Sequence, residues 1–158
     1  MVECDKVCSC RSVTFGVRCG GIYPLELDGV HVGQSDIKGR DIRAMIGPDK
    51  ILGISAGTVE EAQAAEKAGA DYIGVGAVFG TSTKKNARNL SLEKLQEISS
   101  SVSIPVVAIG GINASNLMEL AGSGVDGVAV VSAIFAAKDP GQATRELKVL
   151  AQKMVEHE

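Results

Sequence analysis

The sequence predicts an α/β protein with a parallel sheet, and three observations support this fold class. Five short apolar runs alternate with amphipathic runs from residue 28 onward. The apolar runs are nearly continuous, as expected for strands of a covered parallel sheet. The amphipathic runs carry helix start and stop residues. Strands that alternate with helices imply βαβ units with right-handed crossovers.

The five apolar runs predict the strands in order. β-Branched residues dominate them, and glycines within them allow close approach of the backbone. The predicted strands are GVHVG (29–33), ILGISA (51–56), DYIGVGAVF (71–79), IPVVAIGG (104–111) and DGVAVVSAIF (126–135).

Capping residues predict the first two helices. Thr58 and Glu61 have capping-box spacing before EAQAAEKA, and Gly69 occupies the position of a C-terminal glycine. Ser91 precedes LEKLQEI, which is expected to be helical. Its apolar stripe consists of Leu92, Leu95 and Ile98.

The last two helices have similar signals. Asn113 predicts the start of a helix that runs through Leu120. Asp139 followed by Pro140 opens the final helix, because proline is favoured in a first helical turn. The apolar face of this helix consists of Leu147, Leu150 and Met154.

The ends of the strands favour a (β/α)8 barrel over a doubly wound open sheet. An open sheet concentrates polar residues at one switch point, whereas here every strand ends in a polar or glycine-rich signal. A complete barrel needs about 200 residues or more, so five βα units predict an incomplete barrel. The strand-end signals are Gln34-Ser35-Asp36, Ser55, Thr81 to Lys84, Gly110-Gly111 and Ser132.

Composition excludes several classes of function. The 158 residues are 45% hydrophobic and 22% charged, which is ordinary for a globular domain. A net charge of −3 gives no reason to expect nucleic acid or an acidic membrane surface as a partner. No apolar run is long enough to span a bilayer and no signal peptide is evident. We therefore expect a cytoplasmic protein that acts on small molecules.

The first 27 residues differ from the rest of the chain. They contain all four cysteines, in the spacing C-x3-C-x-C-x8-C, which is not a familiar zinc pattern. No secretory signal points to a compartment that forms disulfides. We interpret 1–27 as an atypical segment outside the domain, which spans 28–158.

The stretch YIGVGAVFGTSTKK (72–85) predicts a buried strand that ends in an anion-binding loop. Thr81, Ser82 and Thr83 offer three hydroxyl groups, and Lys84 adds a positive charge. Short donors beside a cation suit a phosphate. A solvated loop without function is the alternative.

A second phosphate signal follows the last two strands. Gly110 and Gly111 come directly after PVVAI and before a predicted helix start, so backbone N–H groups can approach an anion there. Ser132 ends the next strand. In barrel enzymes the loops after the last two strands often bind phosphate, although a tight turn would need the same glycines.

In their order along the chain, GVHVGQSD, ILGISAGT, ADYIGVGAVFGTSTK, IPVVAIGGI and GVAVVSAIF resemble the thiamine phosphate synthase family. The resemblance runs from about Asp28 to the last helix. It implies a (β/α)8 barrel and a transferase of thiamine biosynthesis. Such an enzyme joins hydroxymethylpyrimidine diphosphate to a thiazole phosphate and releases pyrophosphate.

The resemblance implies site residues by motif. Asp36 in GQSD would be one of two carboxylates that bind Mg²⁺, which suits oxygen ligands. Ser55 and Lys84 would contact the pyrimidine diphosphate and take part in catalysis. The thiazole phosphate would be bound by Thr81, Ser82, Thr83, Gly111, Val131 and Ser132.

His31 is the only histidine near these motifs, but a structural role is favoured for it. It lies inside the apolar strand GVHVG, where a core or supporting side chain is expected. The family reaction requires neither a protein nucleophile nor a dedicated general base. No Cys–His or Ser–His pattern is evident in the sequence.

Two other functions compete with the synthase. A thiazole tautomerase of the same fold is expected to carry a histidine shortly after Ser55, where this chain has Ala56-Gly57-Thr58. A non-catalytic phosphate-binding remnant is the third possibility, because residues 1–27 lack the motifs of three further strands that the family should have. Instability, aggregation or association of copies, together with weak or no turnover, are then expected.

Overall fold

Five parallel strands form one sheet in the computed structural model, which describes residues 28–36, 38, 41–80 and 90–156. Their order in the sheet equals their order in the chain, and all four pairings are parallel. Consecutive strands of a (β/α)8 barrel follow one another in this way. A doubly wound sheet would instead contain a switch point, at which the strand order reverses. The strands are β1 (Gly29–Val32), β2 (Ile51–Ala56), β3 (Tyr72–Gly76), β4 (Val106–Ile109) and β5 (Gly127–Ala129).

Helical segments connect the strands. A 3₁₀ helix (Leu117–Leu120) connects β4 to β5, whereas the other crossovers that the structure describes contain α-helices. The predicted α/β fold with a parallel sheet is therefore confirmed. The α-helices are α1 (Ile42–Ile46), α2 (Val59–Lys67), α3 (Leu92–Ser99), α4 (Ser132–Phe135) and α5 (Pro140–Glu156).

The two faces of the sheet differ in chemistry. One face packs against the helices, and its side chains are almost completely buried, among them Leu52, Ile54, Ile73 and Val106. The other face carries the half-buried polar side chains of His31, Ser55 and Tyr72, and we call it the polar face. Successive residues of a strand point to opposite faces, so one sequence run supplies both the core and the polar face.

Predicted caps of three helices are present. Thr58 accepts a hydrogen bond from the Glu61 N–H at the start of α2. Gly69 has φ +80° beyond its end, and the Ala70 N–H bonds to the Ala65 carbonyl as in a Schellman motif. Ser91 and Asp139 accept bonds from the N–H groups of Lys94 and Gln142, respectively.

The predicted third strand is too long. β3 ends at Gly76, because the Ala77 carbonyl accepts from Leu90 N–H instead of continuing the ladder. The Val78 and Phe79 N–H groups still bond to the carbonyls of Ile109 and Gly110. This segment therefore stays at the end of β4 without being part of the regular strand.

The prediction for 126–135 was wrong beyond residue 129. β5 ends at Ala129, and Ser132–Phe135 forms the short helix α4, in which the Phe135 N–H bonds to the Val131 carbonyl. An apolar run without turn residues does not distinguish a strand from a short helix, so periodicity gave no warning.

Asn113 does not cap an α-helix. The element that follows is the 3₁₀ helix preceded by Asn116, and the Asn113 carboxamide oxygen accepts from the backbone and hydroxyl groups of Ser115. Its amide group donates to the Gly111 carbonyl. Asn113 thus shapes a turn, because its side chain bonds locally on both sides.

Helix α1 was not predicted from the sequence. Asp41 caps it by accepting from the Ala44 N–H, and Gly47 ends it with φ +84°. Its five residues are too few to show helical periodicity. Within the part of the chain that the structure describes, no helix is both long enough and apolar enough to cross a membrane.

Candidate functional site

The carboxyl ends of the strands bring the predicted polar residues to one edge of the sheet. Asp36 lies in the turn after β1, where its backbone N–H bonds to the Gly33 carbonyl at 3.0 Å. Its Oδ2 atom accepts from the Gly33 N–H at 2.9 Å, which holds the carboxylate in place. Asp36 is half-buried, and among the described residues its Oδ1 atom accepts no hydrogen bond, so this oxygen can serve a ligand.

Gln34 connects this turn to the next strand. Its Nε2 atom donates to the Ser55 carbonyl at 2.6 Å, near the end of β2. The Gly33–Asp36 turn and Ser55 are therefore tied together through the Gln34 side chain. The sequence indicated Gln34 as a strand-end residue of the GQSD motif but predicted no contact for it.

A chain of hydrogen bonds crosses the polar face below this edge. The Ser55 hydroxyl lies 3.0 Å from His31 Nε2, and the Tyr72 hydroxyl lies 2.9 Å from His31 Nδ1. The imidazole and phenol rings are 5.4 Å apart and tilted by 36°. The expected structural role for His31 thus includes support of Ser55, a predicted substrate contact.

Two glycines make room for these rings. Gly53 is paired with His31 on one side and with Tyr72 on the other, and a Cβ atom at Gly53 would overlap both rings. Gly74 is paired with Ser55, and a Cβ atom there would lie 2.9 Å from His31 Cε1. Any side chain at either position would displace the His31 ring.

Burial affects the chemistry of Tyr72. It raises the pKa of the Tyr72 phenol above its ordinary value of 10.0, because the phenolate would lose hydration. The group is therefore a protonated hydroxyl at neutral pH, able to donate to His31.

The glycine pair after β4 is enclosed by its neighbours. Gly110 has φ +105° and Gly111 has φ +69°. A Cβ atom at Gly110 would lie 2.7 Å from Ala77 Cα, and one at Gly111 would overlap the Phe79 carbonyl. Side-chain amides of Asn113 and Asn116 donate to the Gly111 carbonyl at 3.2 and 3.0 Å. These contacts hold the loop in one shape.

Val131 and Ser132 follow the neighbouring strand. β5 pairs with β4, so the loop after β5 begins beside the Gly110-Gly111 loop. Val131 is 54% exposed, and Ser132 is also exposed as the first residue of α4. The structure therefore brings Gly111, Val131 and Ser132 to adjacent strand ends, as the predicted phosphate site requires.

Thr81, Ser82, Thr83 and Lys84 lie outside the described residues. The flanking residues are described: Phe79 N–H bonds to the Gly110 carbonyl, and Leu90 N–H bonds to the Ala77 carbonyl at 2.8 Å. The described residues on either side of this segment, Phe79 and Leu90, are therefore held by bonds to Gly110 and Ala77. The roles of the segment in substrate binding stay predictions.

The described residues contain no group of three or more His, Cys, Asp or Glu side chains that could hold a metal ion. Asp36 therefore belongs to no such cluster in that part of the chain. Mg²⁺ in phosphate-handling sites is typically bound by one or two carboxylates together with substrate phosphates and water. The Asp36 oxygen fits such a site only with ligand oxygens completing the coordination.

Sequence reasoning missed Tyr72 and Gly53 as site components. Alternation along each strand could have placed His31, Ser55 and Tyr72 on the same face. Their contact depends on the register between β1, β2 and β3, which no local pattern reports.

Comparisons with known proteins agree with the motifs. A family model described as thiamine monophosphate synthase (TMP-TENI) matches residues 20–134. The thiamine-phosphate synthase of Ruminiclostridium cellulolyticum is 56% identical over 129 residues, which cover 82% of this chain and 58% of that protein. The thiamine-phosphate synthase of Methanobrevibacter smithii is 54% identical over 123 residues, 78% of this chain and 59% of that protein.

A solved structure shares the architecture. The thiamine phosphate pyrophosphorylase of Pyrococcus furiosus superposes with a TM-score of 0.73 at 45% identity, covering 82% of this chain and 62% of that chain. This chain therefore spans less than two thirds of the length of the relatives that it matches. The incomplete barrel predicted from five βα units is consistent with that coverage.

Proposed function

Because this chain belongs to the thiamine monophosphate synthase family, we propose that it serves as a thiamine phosphate synthase. In that reaction hydroxymethylpyrimidine diphosphate and a thiazole phosphate give thiamine phosphate and pyrophosphate. The observation that carries the proposal is the carboxyl edge of the sheet, where Ser55 lies near the end of β2 and Asp36, Gly111 and Ser132 follow β1, β4 and β5. This is the order in which the motifs that resemble the family occur along the chain.

The proposed reaction exchanges one bond for another. The methylene carbon of the pyrimidine loses its bond to the diphosphate oxygen and gains a bond to the thiazole nitrogen. The electron-rich pyrimidine can carry positive charge on this methylene, and the leaving diphosphate gains negative charge. Lys84 in the TSTK loop would stabilise that charge as it develops.

Asp36 would bind Mg²⁺ through its Oδ1 atom, while Oδ2 keeps its bond to the Gly33 N–H. When bound, the ion supplies positive charge next to the diphosphate. A hard oxygen donor already oriented by a backbone N–H suits this ion. We propose Mg²⁺ as the cofactor on this basis.

The two substrates would occupy different parts of the edge. Ser55 would contact the pyrimidine diphosphate, next to the Asp36 turn to which Gln34 ties it. Gly111, Val131 and Ser132, together with Thr81, Ser82 and Thr83, would bind the thiazole phosphate. Backbone and hydroxyl donors after adjacent strands suit a phosphate group.

Turnover and binding together test the proposal. The purified chain is mixed with both substrates and Mg²⁺, and thiamine phosphate is detected as its fluorescent thiochrome derivative alongside pyrophosphate. We expect slow, equimolar formation of both products that stops when either substrate or Mg²⁺ is omitted. Absence of turnover, with no binding of pyrimidine diphosphate in calorimetry, would overturn the proposal.

The competing functions predict different results in the same experiments. A thiazole tautomerase would isomerise thiazole phosphate without any pyrimidine substrate. A phosphate-binding remnant would bind thiazole phosphate in calorimetry and form no product. The absence of a histidine in Ala56-Gly57-Thr58 favours the synthase over the tautomerase.

A further inference from the structure

The hydrogen-bonded chain of Tyr72, His31 and Ser55 has a direction. Gly53, in β2, pairs with both His31 and Tyr72, and Ser55 lies two residues closer to the carboxyl edge on the same strand. This series of hydrogen bonds therefore runs from the middle of the polar face towards the proposed substrate edge. Tyr72 is at its inner end and Ser55 at its outer end.

The protons along this chain follow from the chemistry of the three groups. A neutral imidazole has one N–H donor and one acceptor nitrogen, so only one of the two hydroxyl groups can donate to it. A phenol hydroxyl, with an ordinary pKa near 10, is more acidic than an alcohol and is the better donor. We therefore assign the neutral tautomer with the proton on Nε2, in which Tyr72 donates to His31 Nδ1 over 2.9 Å and His31 Nε2–H donates to Ser55 Oγ over 3.0 Å.

This arrangement leaves the Ser55 hydroxyl proton uncommitted to His31. Because Oγ accepts from Nε2–H, its own proton points elsewhere and can be donated to a ligand acceptor. The Ser55 carbonyl is occupied by Gln34 Nε2 at 2.6 Å, so the backbone of Ser55 is held as well. Gly53 leaves room for both rings and Gly74 leaves room for the His31 ring, because neither glycine has a Cβ atom.

We propose that Tyr72 and His31 are positioning residues that fix the Ser55 hydroxyl as a hydrogen-bond donor to the substrate. The identity of that substrate, the pyrimidine diphosphate, rests on the proposed function. The positioning itself rests on the contacts among Tyr72, His31 and Ser55. The burial that keeps Tyr72 protonated favours the same direction of donation.

The tautomer of His31 tests the proton arrangement without any ligand. The chain has two histidines, so a His157→Gln variant identifies the His31 resonances in ¹⁵N-edited NMR. We expect a pyrrole-type, protonated Nε2 and a pyridine-type Nδ1. Tyr72→Phe should shift the Nδ1 signal, since it removes the donor and keeps the ring that packs over Gly53. The opposite tautomer, or an imidazolium, would overturn the inference.

Two substitutions at His31 separate positioning from packing. In His31→Gln an amide NH₂ can take the place of Nε2–H, whereas in His31→Asn the amide reaches only the Nδ1 position. In calorimetry with pyrimidine diphosphate and Mg²⁺, we expect Asn to weaken binding about tenfold, as one lost hydrogen bond would. Gln should stay within about threefold. Equal losses for the two variants, with equal thermal stability, would contradict positioning.

A double-mutant cycle tests whether Tyr72 acts through Ser55. Tyr72→Phe should weaken binding about three- to tenfold in the native chain and have almost no further effect beside Ser55→Ala. An equal loss in both backgrounds would overturn the inference. If the native chain binds no pyrimidine diphosphate, the proposed function and the ligand role of Ser55 both fail. If it binds normally but His31 has the opposite tautomer, only this inference fails.

Discussion

Gly111 and Gly122 both have a positive φ, but only Gly111 is enclosed. Gly122 has φ +76° and open space around its Cα, whereas a Cβ atom at Gly111 would lie 2.6 Å from the Gly80 carbonyl oxygen and closer still to that of Phe79. The difference between the two positions separates the strain of the backbone angle from the effect of close packing.

We predict that Gly111→Ala lowers the free energy of unfolding by about 1–3 kcal/mol more than Gly122→Ala does, because both share the backbone strain and only the first overpacks the loop. Urea denaturation of both variants measures the difference. Gly111→Ala should also weaken the binding of thiazole phosphate, and Gly122→Ala should not. Equal losses of stability would show that the contacts of Gly111 have little energetic weight.

The hydrogen bond from the Gly33 N–H to the Asp36 carboxylate can be kept when Asp36 is replaced by asparagine. Asn at this position still offers an oxygen to the Gly33 N–H, so the turn should keep its shape. The substitution removes the negative charge that would bind Mg²⁺.

We predict that Asp36→Asn lowers turnover at least about tenfold, corresponding to about 1.4 kcal/mol of transition-state stabilisation, with thermal stability almost unchanged. Turnover is measured against Mg²⁺ concentration. Ser35→Ala, which changes the exposed neighbour of Asp36, is the control. Unchanged Mg²⁺ dependence in Asp36→Asn would remove Asp36 from the proposed metal site.

At the scale of elements, Arg43 joins α1 to two neighbouring segments. Its guanidinium group donates to the carbonyls of Gly47, Lys50 and Gly69 and forms an ion pair of 2.6 Å with Asp71. Asp71 in turn accepts from the Leu52 N–H at 2.7 Å, at the start of β2. Five N–H donors in a planar fork can serve this many acceptors, and an ammonium group cannot.

We predict that Arg43→Lys lowers the free energy of unfolding by about 1–3 kcal/mol, because it leaves carbonyl groups without their donors while the charge is kept. Arg145→Lys on α5 is the matched control and should change stability by less than about 0.5 kcal/mol. Thermal and urea denaturation of both variants provide the measurement. Equal stability of the two would indicate that water replaces the Arg43 donors without cost.

The contacts that Asp71 makes between β2 and β3 have a counterpart at Asp126, between β4 and β5. Asp126 accepts from the Val106 N–H at 2.7 Å and bonds back to the Val106 carbonyl, as Asp71 does with Leu52. In both cases an aspartate just before one strand closes the amino end of the preceding strand. This explains why both β3 and β5 are preceded by Asp, which the sequence reasoning included in the strands.

At the scale of the whole molecule, the sheet has two edges in the part of the chain that is described. β1 and β5 each pair with one neighbour, whereas β2, β3 and β4 pair on both sides. The inner strands also carry the most buried side chains, including Leu52, Ile73 and Val106. Local opening should therefore cost least free energy at β1 and β5.

We predict that backbone amides of β2 and β3 exchange with solvent at least about a hundredfold more slowly than those of β1 and β5, corresponding to about 2.7 kcal/mol in opening free energy. Hydrogen–deuterium exchange under native conditions measures this. Comparing Ile54 with Val30 provides one pair of amides. Uniform protection across all five strands would mean that something covers the edges, and association of copies would then be tested by sedimentation.

The sequence alone identified the parallel α/β class, all five strands and the family to which the chain belongs. It also predicted Asp36, Ser55 and Gly111 as site residues, and the structure places them at the carboxyl edge. Motifs and caps are readable from sequence because they lie within a few neighbouring positions and depend on local backbone preferences. To predict the fold, it was enough that apolar runs alternate along the sequence with capping residues such as Thr58 and Ser91. Short segments such as α1 and α4 escaped, because four or five residues show no period.

Only the tertiary structure decided which side chains meet on the polar face. His31 and Tyr72 are 41 residues apart, and their contact with Ser55 depends on the register of three strands. The same register places Gly53 beneath both rings and Gly111 against Phe79. Local sequence does not encode register, because it is set by the packing of a whole strand against its neighbours, and a shift of one residue would turn each of these side chains to the other face.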